Sequence, residues 1–326
     1  MTMRIQLSNS VRRQDAAFTL IELLVAVSVL SILILLLAQV SNTVANTWSS
    51  GNARADRRQN GRSLVDFIAR ELRGATLPVA APKNASGDII NIPDLNFVQN
   101  PDSVGDNYKY PHCIFWQAPI ANNLTQGDLA VIGYFIRWDT SGSTPKALLC
   151  RLFINPNDPN YSIYNTQEDW INSDLLDAAA PANNQKPVGG APNAYRGLFA
   201  ENVVAFWAQC IDAAGNKIDG NTANATVTET KSFDSRQDYT GADAQGQSKS
   251  YNAPTLPHSV EVSFILLDSQ TASLLTNTTA DTLKQIARVS ASPEAYLTSL
   301  RANGSLKRIA MGATAHKLQV YLDNAP

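Results

Sequence analysis

Residues 17–38 read AFTLIELLVAVSVLSILILLLA, and this stretch decides how the rest of the chain is built. From Phe18 to Ala38 it is an unbroken apolar run but for Thr19, Glu22, Ser28 and Ser31. Some 20 helical residues at ~1.5 Å each span ~30 Å, the hydrocarbon depth of a bilayer. Before it, residues 1–17 are short and polar, with Arg4, Arg12 and Arg13 against Asp15. Cations on that flank hold it on the cytoplasmic side and place the remaining chain outside. A secretory signal predicts a shorter run and a small-residue cleavage site after it. Gln39, Val40 and Ser41 form no such site.

Glu22 is the residue a plain anchor does not explain. A carboxylate within the apolar layer costs a few kcal/mol, so it calls for a partner. A cut between Ala17 and Phe18 would create one, because Phe18 would then carry a positive α-amine. Glu22 lies four residues on, one helical turn away. Pairing of that amine with a neighbour's carboxylate would set the axial register of helices packed side by side.

The stretch Ala17-Phe18-Thr19-Leu20-Ile21-Glu22-Leu23-Leu24 resembles the cleavage signal of type IV prepilins and type II secretion pseudopilins. The resemblance implies that a prepilin peptidase cuts between Ala17 and Phe18, that the Phe18 amine is methylated, and that Glu22 serves subunit register. The family usually has Gly where this chain has Ala17. Other minor and major pilins or pseudopilins, an inner-membrane assembly platform and membrane lipid are the implied partners. The implied location is the bacterial inner membrane, single-pass, with a cytoplasmic N-terminus and an extracytoplasmic globular domain.

Downstream, Thr47 to Arg73 continues as an amphipathic helix: Leu64, Ile68 and Leu72 recur at i, i+4 and i+8 with Val65 beside them. Asp66, Arg70, Glu71 and Arg73 fall on its other faces. Gly51 and Gly61 weaken the helix and mark places for local melting or bending. Arg54, Arg57, Arg58 and Arg62 read as a solvated face in preference to a nucleic-acid or lipid-headgroup patch. Gly74 and Pro78 end the helix.

Beyond residue 77 the pattern becomes β. Strands are predicted over 112–116, 129–138, 147–154, 203–211, 258–267 and 309–322, the second and third forming a hairpin. Two helical pieces are predicted between Asp281 and Arg301, broken near Pro293. Loop-rich insertions fall at 155–197, with a short helix near 167–177, and at 219–254. The expected organisation is a leader over 1–17, a membrane and filament-core helix over 18–39, its amphipathic continuation over 40–76, and a globular domain over 77–326. The predicted fold class is α+β, a long N-terminal helix packed on antiparallel sheet, as in pilins. The length, with ENVVAFWAQCIDAAGNKID and LPHSVEVSFILLD, resembles the larger minor subunits, the J-type of type II secretion and the W-type of type IV pili.

The 326 residues carry 26 Lys and Arg against 28 Asp and Glu, a net charge of −2 that gives nucleic acid no basic field to bind. Cys113, Cys150 and Cys210 form no C-x-x-C pair; two of them could be joined outside the cell, or all three could be small buried side chains. His112, His258 and His316 are far apart in sequence, and no nucleophile elbow, P-loop or zinc-protease helix occurs. No catalytic residue or cofactor is assigned. A candidate calcium set is Asp212, Asp219 and the Asn216 carbonyl. The expected function is a non-enzymatic minor pilin or pseudopilin that initiates, caps or decorates a filament. The alternative is a membrane-anchored binding or adhesion module, for which Trp138, Trp170 and Tyr195 would matter if exposed.

Overall fold

The computed structural model describes residues 19–77, 95–122, 127–158, 161, 163, 170–171, 175–176, 196–218 and 232–325. The fold is α+β, an apolar N-terminal helix followed by an antiparallel sheet domain. Helix α1 runs over Leu20–Arg73 and contributes to two compact units, Met1–Arg54 and Ala55–Pro326.

Within the second unit, α1 buries Val65, Ile68, Ala69 and Leu72. Their spacing makes one stripe along the helix. Gly61 is buried on the same side, and a Cβ there would overlap the imidazole of His316. The helix is unbroken at this glycine, which serves close packing where the sequence suggested melting. At Gly51 nothing lies within 4 Å of such a Cβ. Glu71 departs from its predicted outer face and is buried, whereas Asp66, Arg70 and Arg73 are exposed.

The larger sheet is built from β1 (Val98–Gln99), β2 (Ile114–Ala118), β3 (Ala130–Asp139), β4 (Lys146–Ile154), β5 (Arg196–Glu201) and β7 (Phe233–Asp234). Its order is β5-β4-β3-β2-β1-β7, with every neighbour antiparallel. Strand alternation sends its residues into two cores. Trp116, Ile132, Tyr134, Ile136 and Leu149 point toward α1 and share a core with Ile68 and Leu72. Phe115, Val131, Phe135, Leu148 and Leu152 point the other way, where Ile163, Trp170, Ile171, Leu175 and Leu176 cover them. The 155–197 insertion therefore supplies the lid of the second core, through Ile163 of its predicted loop and four residues of the short helix predicted near 167–177, of which Leu175 and Leu176 are helical. Gly133 makes room for this packing, since a Cβ there would run into the Phe115 ring.

The smaller sheet joins β6 (Val203–Ile211), β10 (Ser259–Leu267) and β11 (Ala313–Tyr321) in the order β11-β10-β6. One face carries Phe264 and His316 against α1. The other carries Trp207, whose Nε1 donates to Ser290 O at 2.8 Å and whose ring meets Tyr296 edge-on. Four helices fill the β10–β11 connection: α2 (Ser269–Ala272), α3 (Asn277–Val289), α4 (Pro293–Ala302) and α5 (Lys307–Gly312). Asp268, Thr276 and Ser292 cap the first three through side-chain oxygens. Pro293 starts α4 at a position where its missing N–H costs nothing. The predicted last strand over 309–322 needs correction, because residues up to Gly312 are helical and the strand starts at Ala313. Within the predicted loop at 219–254, β8 (Tyr239–Ala242) and β9 (Ser248–Tyr251) form a hairpin. Its five-residue turn is held by the Asp243 carboxylate, which accepts from Gln245 and Gln247 N.

Asn202 joins the two sheets. It lies between β5 and β6 in a left-handed conformation, φ 66°. Its N–H donates to Ala147 O of β4 at 2.7 Å, and its carbonyl accepts from Leu267 N of β10 at 2.9 Å.

All three thiols are free and buried. Cys150 stands opposite Phe135 on β3, and Cys113 precedes β2 on the far side of that strand. Two strand spacings, ~9.5 Å, exceed the reach of a disulfide. Cys210 pairs with Val260 in the other sheet.

Candidate functional site: the head of the apolar helix

α1 opens on a 26-residue apolar span, Leu20–Ala45, whose most apolar 18 residues have a mean hydropathy of 3.0. None of it is buried by the rest of the chain. Three of its hydroxyls are satisfied inside the helix: Ser28 Oγ donates to Val25 O and Ser31 Oγ to Val27 O, both at 2.8 Å, and Thr43 Oγ1 donates to Gln39 O at 2.9 Å. A helix satisfies its backbone polar groups internally and can therefore sit in hydrocarbon. Glu22 is the only ionisable residue in the span.

Glu22 has a local partner that the sequence reading overlooked. Its Oε2 accepts from Thr19 N at 3.0 Å and from Thr19 Oγ1 at 2.9 Å. Thr19 Oγ1 accepts in return from Glu22 N at 3.3 Å. This is the reciprocal capping box, in which residues three apart satisfy each other's orphan N–H groups at a helix start. The signal was present in the sequence as Thr-x-x-Glu. The carboxylate also lies at the positive end of the helix dipole. Ala17 and Phe18 lie outside the described residues.

Other candidate groups are engaged in structure. Asp212 of the calcium set accepts from Ala214 N and Asn216 N through Oδ1, and from Ala242 N at 2.7 Å through Oδ2. Burial works against the charge of Asp212, but these donors outweigh it and hold its pKa below the usual carboxylate value. The Asn216 carbonyl accepts from Asp212 N, and Asp219 lies outside the described residues. Among the described residues no group of three His, Cys, Asp or Glu is placed to hold a metal ion.

The histidines do not converge. His258 and His316 stand about 20 Å apart along the β10–β11 ladder, six residues at ~3.3 Å. His112 is buried with its Nδ1 accepting from Ala208 N at 3.2 Å, and desolvation pushes its pKa down to about 3. A polar recess lies beside β1 and β7, lined by Asn96, Asn100, Asp102, Asp234 and Arg236. In it Asp234 clamps Arg236 through both oxygens, and Ser103 donates to Ile171 O. Trp170 is buried and donates to Asn96 Oδ1, and Trp138 is half-buried beneath the Lys284 ammonium. Tyr195 lies outside the described residues.

Residues 12–38 match the family described as the prokaryotic N-terminal methylation motif. No curated protein and no solved structure matches the chain. The match marks the head of the chain as a type IV pilin-like prepilin signal, and it covers both Glu22 and the Ala17–Phe18 bond.

Proposed function

We propose that the chain is a minor pilin or pseudopilin, a non-enzymatic subunit that initiates, caps or decorates a short filament. The observation that carries this reading is a single carboxylate, Glu22, at the head of a 26-residue apolar helix within the matched methylation motif. In this reading the precursor sits once across the bacterial inner membrane with residues 1–17 in the cytoplasm. A prepilin peptidase cuts before Phe18, and the new amine is methylated. The domain beyond residue 77 lies outside, and no chemistry is performed by it.

The mechanism follows from the solvent. Moving α1 from lipid into a bundle of like helices exchanges one apolar environment for another, so burial supplies little net drive. What remains is the charge of Glu22. Thr19 engages one of its oxygens, Oε2. The other can receive the α-amine of a neighbour, and a charge pair in a low dielectric fixes one axial offset between helices.

Two measurements test this. The mass of the native N-terminus should correspond to a chain beginning at methylated Phe18; an intact Met1 returns the protein to a plain membrane anchor. Glu22→Ala should leave membrane insertion unchanged while co-isolation with other prepilin-type subunits falls at least tenfold. Normal co-isolation of that variant would remove the register role.

A further inference from the structure

The contact between His316 and Gly61 has chemistry that packing alone does not require. His316 lies on β11, the edge strand of the smaller sheet, and its ring stacks on Phe264 with centroids 5.3 Å apart. The tip of the ring, Cε1, Nε2 and Cδ2, occupies the notch at Gly61 of α1. The residue as a whole is half-buried, yet its Nε2 is enclosed and has no hydrogen-bond partner. A neutral imidazole with its proton on Nδ1 presents only a lone pair there. An imidazolium would place an N–H and a positive charge in the same spot with nothing to receive them.

Among the described residues the surroundings offer no compensation. Along α1 the charged residues nearest Gly61 are Asp56, Arg57, Arg58 and Arg62, with Asp66 further on; Arg58, Arg62 and Asp66 are exposed. From β10 the ring meets Phe264, and beyond that strand stands Phe206 of β6. Glu261 and Lys317 pair with each other at 2.6 Å, on the sheet face opposite to His316 by strand alternation.

We propose that His316 is a proton-operated latch, which holds α1 against β11 while its ring is neutral and releases residues 58–65 when Nε2 is protonated. Burial alone lowers its pKa from 6.5, with no charged group contributing. The sign follows. Below pH 6.5 the released state, with an ordinary histidine, binds more protons than the packed one, so packing weakens as pH falls. The loss reaches at most about tenfold per pH unit and ends at the depressed pKa of the packed state. The consequence is a subunit whose helix is gripped at neutral pH and loosened in mild acid.

The test is amide hydrogen exchange on the full chain in detergent micelles, corrected for intrinsic rates, between pH 7.5 and 5. Protection of 58–65 and 313–321 should fall about tenfold in the wild type and stay flat in His316→Phe. Gly61→Ala, which evicts the ring, should be poorly protected at every pH. Wild-type protection that does not change with pH, or a fall that persists in His316→Phe, overturns the proposal. Should His316→Phe not fold, the ring resonances of carbon-labelled His316 decide. They must titrate below 6.5 in step with the loss of protection, and titration at or above 6.5 also overturns the latch. His112, pushed to about 3, does not titrate in this window.

Discussion

Glu71, in the last turn of α1, takes hydrogen bonds from two strands at once. Tyr134 Oη donates to its Oε2 at 2.5 Å, and Arg151 reaches both oxygens. Burial opposes the Arg151 charge, but the Glu71 hydrogen bonds and charge outweigh it and raise the Arg151 pKa. Tyr134 is pushed up by burial and by the same carboxylate. Glu71→Gln keeps the shape but strands a buried guanidinium, at a cost of about 3–5 kcal/mol. Urea unfolding followed by tryptophan fluorescence should show that loss, while replacing Glu71 and Arg151 together by Leu should cost far less. Nothing in the local sequence distinguishes Glu71 from its exposed neighbours Arg70 and Arg73. Its burial is decided by Arg151, 80 residues away. Thr19 is the opposite case: its pairing with Glu22 is legible three residues apart as Thr-x-x-Glu, and it competes for the same carboxylate with the Phe18 α-amine that a cut would expose.

At the scale of elements, the two glycines of α1 make a controlled comparison. Both are helical, so helix propensity favours Ala at each by about 1 kcal/mol. At Gly51 there is nothing to meet, so Gly51→Ala should raise helicity by circular dichroism. At Gly61 the new methyl enters the His316 ring, and Gly61→Ala should lower stability by about 1–3 kcal/mol in the same urea assay. Opposite signs are the expected outcome; stabilisation at both positions would mean that His316 is not seated there. The strands were readable from their apolar runs, and β6 falls on its predicted bounds. The hairpin of β8 and β9 was not, because YTGA and SKSY carry little apolar signal. Asp212 ties it down through Ala242 N, a contact between residues 30 apart. The helical start at Lys307 was hidden because Ile309, Ala310 and Met311 fit a strand as well as a helix.

At the scale of the whole molecule, the larger sheet separates two cores, and the cysteines report on each. Cys113 and Cys150 lie in the core covered by Ile163 and Trp170, while Cys210 lies in the core shared with α1. Burial pushes their thiols up, Cys113 to about 12 and Cys150 to about 11. None should react with a maleimide at pH 7, and all three should react in full denaturant. Because Asn202 bonds β4 through its N–H and β10 through its carbonyl, the three should become reactive at one urea midpoint. Mass spectrometry of labelled peptides checks this, and a lower midpoint for Cys210 would mean the sheets come apart independently.

The last turn of α1 also has a mechanical meaning. Glu71 is held by Tyr134 of β3 and Arg151 of β4, and its carbonyl accepts from Trp116 Nε1 of β2. A pull that reaches this turn of the helix is therefore shared among three adjacent strands. Rupture requires several bonds to fail at once, whereas peeling would break them one after another.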